Sequence, residues 1–563
     1  MIYHCEDHTC NYWDEGEKLP ERCPQCGRKL LCANEADMTG DDWTALGNTL
    51  WDAEASDKKR MVDCFRKAAY LGSAWGVCNL GICMEQGNGV EADPVQAFWL
   101  YQQAVEMGSL NAVCCLGVCY QYGIGTAPDA EKAAELYCKA AEYGSPRGQM
   151  LLARAFHDGI GVEADAAEAV HWVRAAAYQR YGEGMYRLGV CYEYGDGVEQ
   201  NWEHAVHWFR EAAESGVSTA MTDLGYCYEK GCGVEQSWEQ AFSWYRRGAE
   251  CGYPVSMSNL GLCYKRGYGV EQNWQEAIKW YEQGAQCGDL QSMHNLARCY
   301  ERGEGVEQNE DRALYWYRRG AEAGSDYCMY CLGWNYSNGE GVEQNMTEAI
   351  RWYTAAAEGG NADAMHNLGW HYDHGEGVEQ DMKKAICWYE RAAEQNHPAA
   401  MNSLGECYAM GRGVPRDLET AMEWYRRAAE LGEAMADYNM GWHLEQAGKL
   451  SEAYAHYRKA ADGNDDSAWW ALGRFYENGV VVAQDGKEAR RCYETGEKLG
   501  SVKCKMRLAR CKLLGIGGRR AKKAGLDLCR QALELAKESS EKEDYGYEAE
   551  MNLLRRTIAE NES

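Results

Sequence analysis

The sequence has few prolines, few phenylalanines and no long hydrophobic run. Among 563 residues there are 8 Pro and 6 Phe against 62 Gly, 21 Trp and 38 Tyr, a skew that one motif copied many times would produce. No stretch has the length needed to span a bilayer, and the start, MIYHCEDHTC, shows no basic segment followed by an apolar run. These absences predict a soluble, cytoplasmic protein without a membrane span.

Basic residues are also in short supply. Lys and Arg number 58 against 87 Asp and Glu, which gives a formal net charge of −29 at pH 7. A surface of that sign repels phosphate groups and anionic lipid headgroups, so nucleic acid is an unfavourable partner. The 27 Cys are an odd number and mostly stand singly inside helical patterns, which favours the reduced thiols of a cytosol over a disulfide framework.

A repeat of 36 residues fills most of the chain. Anchor residues, most of them a Leu followed by Gly, recur every 36 residues from Leu80 to Leu404, and Met440 continues the series. Anchors with altered spacing at Leu46, Leu472 and Leu508 bring the number to 14. Self-similarity at such a period is typical of solenoid proteins, in which the atypical end copies act as caps.

The copy at 362–397 shows why the motif predicts a helical hairpin. Apolar residues four apart form the stripe of a first helix, helix A, in which Gly369 lets another helix approach closely. Gly375 and Gly377 supply the left-handed backbone that ends it, and Asp381 is placed to cap a second helix, helix B. Neither helix can bury its stripe alone, so stacked neighbours must complete the core. The stripe residues are Ala364, Leu368 and Tyr372 in helix A and Ala385, Trp388, Tyr389 and Ala392 in helix B.

The segment from Leu368, LGWHYDHGEGVEQDMKKAICWYERAAEQNHPAAMNSLG, resembles the Sel1-like repeat, a relative of the tetratricopeptide repeat with a longer glycine-bearing turn. The resemblance spans residues 40–540 and implies an all-α solenoid, a right-handed superhelix of about 14 hairpins, followed by a C-terminal capping helix at 541–563. It also implies a scaffold or adaptor that holds a peptide or partner protein in a concave groove, and no catalysis. The unit at Met440, where QAGKLS replaces the long turn, departs from the pattern, as does the last unit at Leu508.

The face of helix A that should line this groove is unusual between His294 and Gln446. By analogy with tetratricopeptide hairpins, the residues two before, two after and six after each anchor share that face. A water-facing position has no folding reason to be Trp three times, so the stripe predicts a groove for an extended peptide or partner helix. The alternative is that superhelical curvature buries these rings against the next unit. The candidate binding residues are His294, Arg298, Arg302, Tyr330, Trp334, Asn338, His366, Trp370, His374, Asn402, Glu406, Met410, Tyr438, Trp442 and Gln446.

Two close pairs of cysteines precede the repeats. Cys5 and Cys10 enclose four residues, and Cys23 and Cys26 enclose two in a CPQCG knuckle similar to those of zinc ribbons and rubredoxin-like modules. Four thiolates can surround one tetrahedral zinc ion and stabilise a segment with little apolar matter. Residues 1–35 are therefore expected to form a zinc-ribbon-like module with one structural zinc, iron being the alternative. The candidate substitutes for one ligand are His4, His8 and Cys32.

Two other functions stay open at this stage. Some secreted cysteine-rich proteins with similar repeats are associated with β-lactam binding or hydrolysis, so a β-lactam-processing or metal-dependent enzyme is one alternative. Those proteins pair a Cys that ends helix B with one that opens the next helix A, and Cys251 and Cys287 find no such partner in the sequence. Nucleic-acid binding through the N-terminal module is the other alternative. A metal between His366 and His374 is rejected, because eight residues span about 12 Å along a helix.

Overall fold

The computed structural model describes residues 2–5, 13–15, 30–33, 38–51, 55–542 and 548–562. Three short strands, β1 (Ile2–Cys5), β2 (Trp13–Glu15) and β3 (Leu30–Ala33), form an antiparallel sheet in the order β2-β1-β3. Cys5 pairs with Leu30 in the backbone register of β1 and β3. Of the expected metal ligands and their substitutes, Cys10, Cys23, Cys26 and His8 lie outside the described residues, and Cys5, His4 and Cys32 are described by their backbone alone.

After the sheet the described chain is helical. The chain divides into two compact units, unit 1 (Met1–Ser292), which includes the sheet, and unit 2 (Met293–Ser563), with the boundary inside helix α15. Helices α1 to α28 follow one another as fourteen hairpins, in which odd-numbered helices are helix A and even-numbered helices are helix B. No strand occurs among the described residues after Ala33, which confirms the expected helical repeat.

The helices of unit 1 are α1 (Gly40–Thr49), α2 (Ala55–Tyr70), α3 (Ala74–Gln86), α4 (Pro94–Glu106), α5 (Leu110–Tyr122), α6 (Ala130–Glu142), α7 (Pro146–Asp158), α8 (Ala166–Tyr178), α9 (Gly182–Tyr194), α10 (Trp202–Glu214), α11 (Ser218–Lys230), α12 (Trp238–Glu250), α13 (Pro254–Arg266) and α14 (Trp274–Gln286). Those that lie mostly or wholly in unit 2 are α15 (Leu290–Arg302), α16 (Glu310–Glu322), α17 (Asp326–Asn338), α18 (Met346–Glu358), α19 (Ala362–His374), α20 (Met382–Glu394), α21 (Pro398–Met410), α22 (Leu418–Glu430), α23 (Ala434–Gln446), α24 (Leu450–Asp462), α25 (Asp466–Asn478), α26 (Gly486–Lys498), α27 (Val502–Leu514), α28 (Lys522–Lys542) and α29 (Glu548–Glu562).

The hairpin of α19 and α20 forms as its sequence predicts. Gly375 ends α19 with φ 73°, and Gly377 in the following turn has φ 77°, conformations that favour glycine. The Asp381 side chain accepts hydrogen bonds from the backbone N–H groups of Lys383 and Lys384 and so caps α20. Ala385, Tyr389 and Ala392 of α20 are fully buried and Trp388 is half-buried, which confirms the stripe of helix B.

In most hairpins a glycine of helix A contacts a buried tyrosine of helix B. A Cβ atom on Gly369 would lie 2.7 Å from the Tyr389 ring, and a Cβ on Gly225 in unit 1 would lie 2.6 Å from the Tyr245 ring. Both distances are closer than carbon atoms tolerate, so at these two positions only glycine admits the ring without a shift of the helices. This contact explains why the anchor is followed by Gly and why helix B carries a buried aromatic residue. The largest fully buried side chains are Tyr101, Tyr137, Tyr245, Tyr281, Tyr317, Tyr353, Tyr389, Tyr425, Tyr457, Tyr493, Phe65 and Phe209.

Within each unit the hairpins stack in chain order. In unit 2, α18 packs against both α17 and α19, and α20 packs against both α19 and α21. One hydrophobic cluster consequently runs from Ala349 to Met440 through consecutive hairpins, so that each layer completes the core of the next. At the C-terminal end α29 packs on α27 and α28, and Arg507 of α27 binds Glu550 of α29 at 2.7 Å. None of the described helices is both long and apolar enough to cross a bilayer.

Candidate binding face of unit 2

Between Arg298 and Gln446, eight of the ten residues two and six after the anchors are exposed. Trp334, Trp370 and Trp442 lie two residues after the anchors of α17, α19 and α23, and they are 44%, 37% and 37% exposed. Indole rings with this much surface in water are not core residues, so burial by neighbouring hairpins does not account for them. The exposed residues six after the anchors are Arg302, Asn338, His374, Met410 and Gln446.

The residues two before the anchors were expected to face the groove, and the structure shows that they do not. His294 and Asn402 are buried, and Tyr330, His366 and Tyr438 are half-buried, so this row does not face water. The reason is contact between hairpins: the ring of His294 lies 5.5 Å from that of Tyr327 in α17, while Asn402 accepts a hydrogen bond from Asn439 in α23 at 3.0 Å. Arg298 and Glu406, two after their anchors, are also half-buried.

A pocket of about 400 Å³ lies between α17 and α19, with α18 beneath it. Four of the predicted residues, Trp334, Asn338, His366 and Trp370, line it, and we call it the tryptophan pocket. Its volume falls in the usual range of ligand pockets, about 300 to 1,000 Å³. The residues that sequence analysis missed are Ser337, Gln344, Met346, Tyr353, Asn367, His371 and Glu376.

Hydrogen bonds hold the polar side chains of the tryptophan pocket in place. Asn338 Nδ2 donates to the carbonyl oxygen of Trp334 at 3.0 Å, and Gln344 Nε2 donates to that of Ser337 at 2.8 Å. One N–H of each amide is therefore used within the wall, and the side-chain carbonyl oxygen and the second N–H stay available to a ligand. The ring of Trp370 stacks on that of His374 at 4.3 Å, so one indole face is already supported.

A short side chain opens the tryptophan pocket. In several other hairpins the buried Tyr of helix B donates a hydrogen bond to a Glu five residues after the anchor, as Tyr317 does to Glu301 at 3.3 Å and Tyr457 to Glu445 at 2.7 Å. Ser337 holds this position in α17. Because serine is shorter than glutamate, the volume that a carboxylate fills elsewhere is left open above α18. Glu is also replaced at this repeat position in other hairpins, for example by Ala409 in α21, so its loss alone would not have located the pocket.

A pair of histidines between α19 and α21 borders the tryptophan pocket. The rings of His366 and His397 stack at 5.2 Å, and His397 Nε2 is 3.1 Å from Asp363. Burial and the neighbouring His397 lower the pKa of His366 to about 4, so its ring is neutral at pH 7. Ser403 Oγ lies 3.4 Å from His366 Nε2, but Asp363 orients His397 instead of His366. A Ser-His-Asp relay is therefore not assembled here.

Burial lowers the pKa of His371 as well. Its Nδ1 donates to the carbonyl oxygen of Glu376 at 3.0 Å, which fixes the ring at the floor of the tryptophan pocket. In the described part of the chain no group of three His, Cys, Asp or Glu side chains could hold a metal ion. The geometry of unit 2 thus suits the binding of a ligand by ring faces and hydrogen-bond acceptors.

Helical hairpins that stack in chain order define a helical-repeat protein. The Sel1 repeat family matches twelve segments that together cover more than half of the chain, and the chain belongs to that family. Proteins built from Sel1 repeats are generally protein-interaction scaffolds. The matched segments are 76–109, 112–145, 146–181, 182–217, 218–253, 254–289, 290–325, 326–361, 362–397, 398–433, 434–465 and 468–501.

Two solved structures illustrate the likeness. The protein c5321, a protective antigen of uropathogenic Escherichia coli strains with an SLR fold, is 29% identical, with a TM-score of 0.52 over 89% of this chain and 94% of that one. A Sel1 repeat protein from Oxalobacter formigenes is 32% identical over 43% of this chain and 96% of its own, with a TM-score of 0.40. A search of the curated proteins found no match.

Proposed function

We propose that the chain is a scaffold that binds an extended peptide or helix of a partner protein on the helix A face of unit 2. The main observation in support of this proposal is that Trp334, Trp370 and Trp442 are exposed at equivalent positions of their repeats. Tryptophan is enriched among the residues that dominate binding energy, because it supplies a large contact area at a low cost in conformational entropy. The amide and carboxylate groups beside these rings would orient the bound segment.

The arrangement of the hairpins supports this face as the binding surface. Helix A residues of successive hairpins interact directly, as Asn439 of α23 does with Asn402 of α21 at 3.0 Å and Arg412, just after α21, does with Asp373 of α19 at 2.9 Å. Such close helices form a continuous strip that a peptide several residues long can follow. The tryptophan pocket in this strip would receive one side chain of that peptide.

An unbiased peptide display library tests the proposal. The intact chain is used for selection, and each enriched peptide is measured against a variant with Trp334, Trp370 and Trp442 all changed to Ala. Binding should fall by at least about a hundredfold, since buried anchor residues at interfaces each contribute about 2 kcal/mol or more. Circular dichroism should show unchanged helical content. Peptides that bind both chains equally would refute the proposal, and a loss of helicity would place these rings in the core.

We also propose that residues 1–35 bind one structural zinc through Cys5, Cys10, Cys23 and Cys26. The backbone register of the sheet supports it, because Cys5 at the end of β1 pairs with Leu30 at the start of β3. Cys26 precedes Leu30 by four residues, so the chain can bring its thiol to the end of β1 where Cys5 lies. With the thiols of the other two cysteines these groups complete a tetrahedral set.

Metal analysis of the full chain tests the zinc site. The expected content is one zinc ion per chain, and Cys23→Ser or Cys26→Ser should release it while the helical signal of the repeats persists. Cys387→Ser, a change at an exposed cysteine of α20, is the matched control and should retain the metal. Iron in place of zinc would correct the identity of the ion, whereas a metal-free wild-type chain would refute the site.

A further inference from the structure

We propose that the tryptophan pocket takes the guanidinium group of an arginine in the bound peptide. The inference rests on the binding function proposed above and gives the chemistry of the segment that the partner must present. Three properties of the pocket point to arginine: the acceptor oxygens of its polar groups, the sign of its charge and the ring surface of its walls.

The polar lining offers several hydrogen-bond acceptors. The amides of Asn338 and Gln344 each use one N–H on a backbone carbonyl, which leaves the side-chain oxygen and the second N–H for a ligand. The Glu376 carboxylate adds further acceptor oxygens. A guanidinium group has five N–H donors and no acceptor, so it can donate to these oxygens, whereas the Glu376 carboxylate would repel a carboxylate or phosphate.

The charge of the pocket has one sign. Neither Lys nor Arg lines it, and Glu376 forms no ion pair in the part of the chain that the structure describes. Burial lowers the pKa of His366 and of His371, which keeps both rings neutral at pH 7. The lining thus carries the single negative charge of Glu376, on a chain whose formal net charge is −29. That field attracts a cation over the whole approach.

The walls favour arginine over lysine. Trp334 and Trp370 expose indole surface at the pocket, and indole is the best ring for a cation to lie against. The planar guanidinium stacks on such a ring and still donates at its edges, whereas an ammonium group is compact and strongly hydrated. The stacked His374 holds the Trp370 ring in place at 4.3 Å, so little conformational entropy is lost when the ligand arrives.

Calorimetric titration of the full chain with a blocked peptide of alternating glycine and arginine tests the proposal. Two comparison peptides carry citrulline, the neutral isostere, or lysine in place of arginine. We expect the arginine peptide to bind, the citrulline peptide to bind at least about tenfold more weakly, and the lysine peptide to fall between them. Equal binding of the citrulline and arginine peptides would overturn the proposal, and so would an intact chain that binds none of them.

Three variants distinguish binding in the pocket from nonspecific electrostatic attraction to an acidic protein. Trp370→Leu removes one aromatic wall of the pocket. Ser337→Gln fills the cavity without a change of charge, because Gln121, at the same repeat position in unit 1, occupies this space and accepts a hydrogen bond from Tyr137 at 2.7 Å. Each should weaken the arginine peptide at least about tenfold. Trp99→Leu is the control, because Trp99 of α4 is 54% exposed and lies outside the pocket. If all three variants bind as the parent chain does, attraction to the net charge alone explains the binding and the pocket is not the site.

This experiment and the display library can refute the two proposals separately. Selected peptides that need the three tryptophans but contain no arginine would uphold the scaffold function and overturn the arginine pocket. Peptides that ignore the tryptophans would overturn both.

Discussion

The hairpins of unit 1 and of unit 2 have the same kind of core contact but different exposed residues on helix A. Glycine meets tyrosine in the same way in both, as at Gly225 and Tyr245 or Gly369 and Tyr389. Between the anchors Leu80 and Met440, by contrast, the residue two after the anchor is aliphatic in four of six copies of unit 1 and tryptophan in three of five copies of unit 2. Packing fixes the first set of positions and leaves the second set free, so differences in function between the units belong on the helix A face. The residues in question are Ile82, Val118, Arg154, Val190, Tyr226 and Leu262 in unit 1, and Arg298, Trp334, Trp370, Glu406 and Trp442 in unit 2.

The pockets of the two units show the same contrast. A pocket of about 440 Å³ in unit 1 lies between α7 and α9 over a floor of valines from α8, and charged groups of both signs surround it. There His157 of α7 bridges Asp158 at 2.7 Å and Asp196 at 3.1 Å. The tryptophan pocket of unit 2, of about 400 Å³, has ring faces, amide groups and one carboxylate. One repeat therefore builds two sites of similar size and different chemistry.

The largest expected effect tests the shared core. Gly225→Val in unit 1 and Gly369→Val in unit 2 both force a side chain into a buried tyrosine ring, and each should destabilise its own hairpin by about 3 kcal/mol. Hydrogen exchange followed by mass spectrometry measures the two units separately. Glu358→Val, at an exposed position of α18, should change little. Strongly unequal losses at the two glycines would show that the units do not share one packing scheme.

Acidification should separate the units. The pKa of His366 lies near 4, below its ordinary value of 6.5, so the unfolded state of this region binds the proton first and unit 2 loses stability as the pH falls from about 6.5 toward 4. A hydrogen bond with Asp158 raises the pKa of His157 in unit 1. Its contribution is therefore present at low pH and is lost as the pH rises through the folded-state pKa.

Hydrogen exchange of α19 and α7 between pH 7.5 and 4.5, corrected for intrinsic exchange rates, measures this divergence. Unit 2 should lose about 2 kcal/mol locally, and His366→Gln should abolish most of that loss. The depressed pKa of Asp363, caused by its hydrogen bond with His397, acts only at lower pH. Parallel behaviour of the two helices would contradict the opposite pKa shifts.

Periodic packing could be predicted from the sequence, and the pocket could not. The 36-residue period, the Gly375 and Gly377 turn and the Asp381 cap each reflect a local backbone requirement that recurs in most copies, so the pattern predicts them. The burial of His294 and Asn402 depends on the distance between hairpins, which no single copy encodes. The tryptophan pocket depends on Ser337 in place of a glutamate, a departure that matters only once Tyr353 is known to lie opposite it.

A pair of cysteines at one repeat position allows a chemical comparison of the units. Cys115 of α5 and Cys331 of α17 both directly precede their anchors. A hydrogen bond with the Cys78 thiol and the charge of Arg147, whose Nη1 lies 3.5 Å from Cys115 Sγ, hold the pKa of Cys115 below its ordinary value. Burial raises the pKa of Cys331 to about 12. The thiolate is the reactive form of cysteine, so Cys115 should be the better nucleophile.

The smallest expected effect is therefore a difference in alkylation rate at these two cysteines. Limiting iodoacetamide at pH 7.5, followed by peptide mass spectrometry, should modify Cys115 at least about tenfold faster than Cys331. Exposure alone predicts the reverse order, since Cys115 is buried and Cys331 is half-buried. Arg147→Gln removes the cation and should bring the rate at Cys115 down toward that at Cys331, while the exposed Cys387 keeps its rate in both chains. A faster Cys331 in the parent chain would mean that access, and not the charge supplied by Arg147, controls the thiols of this repeat position.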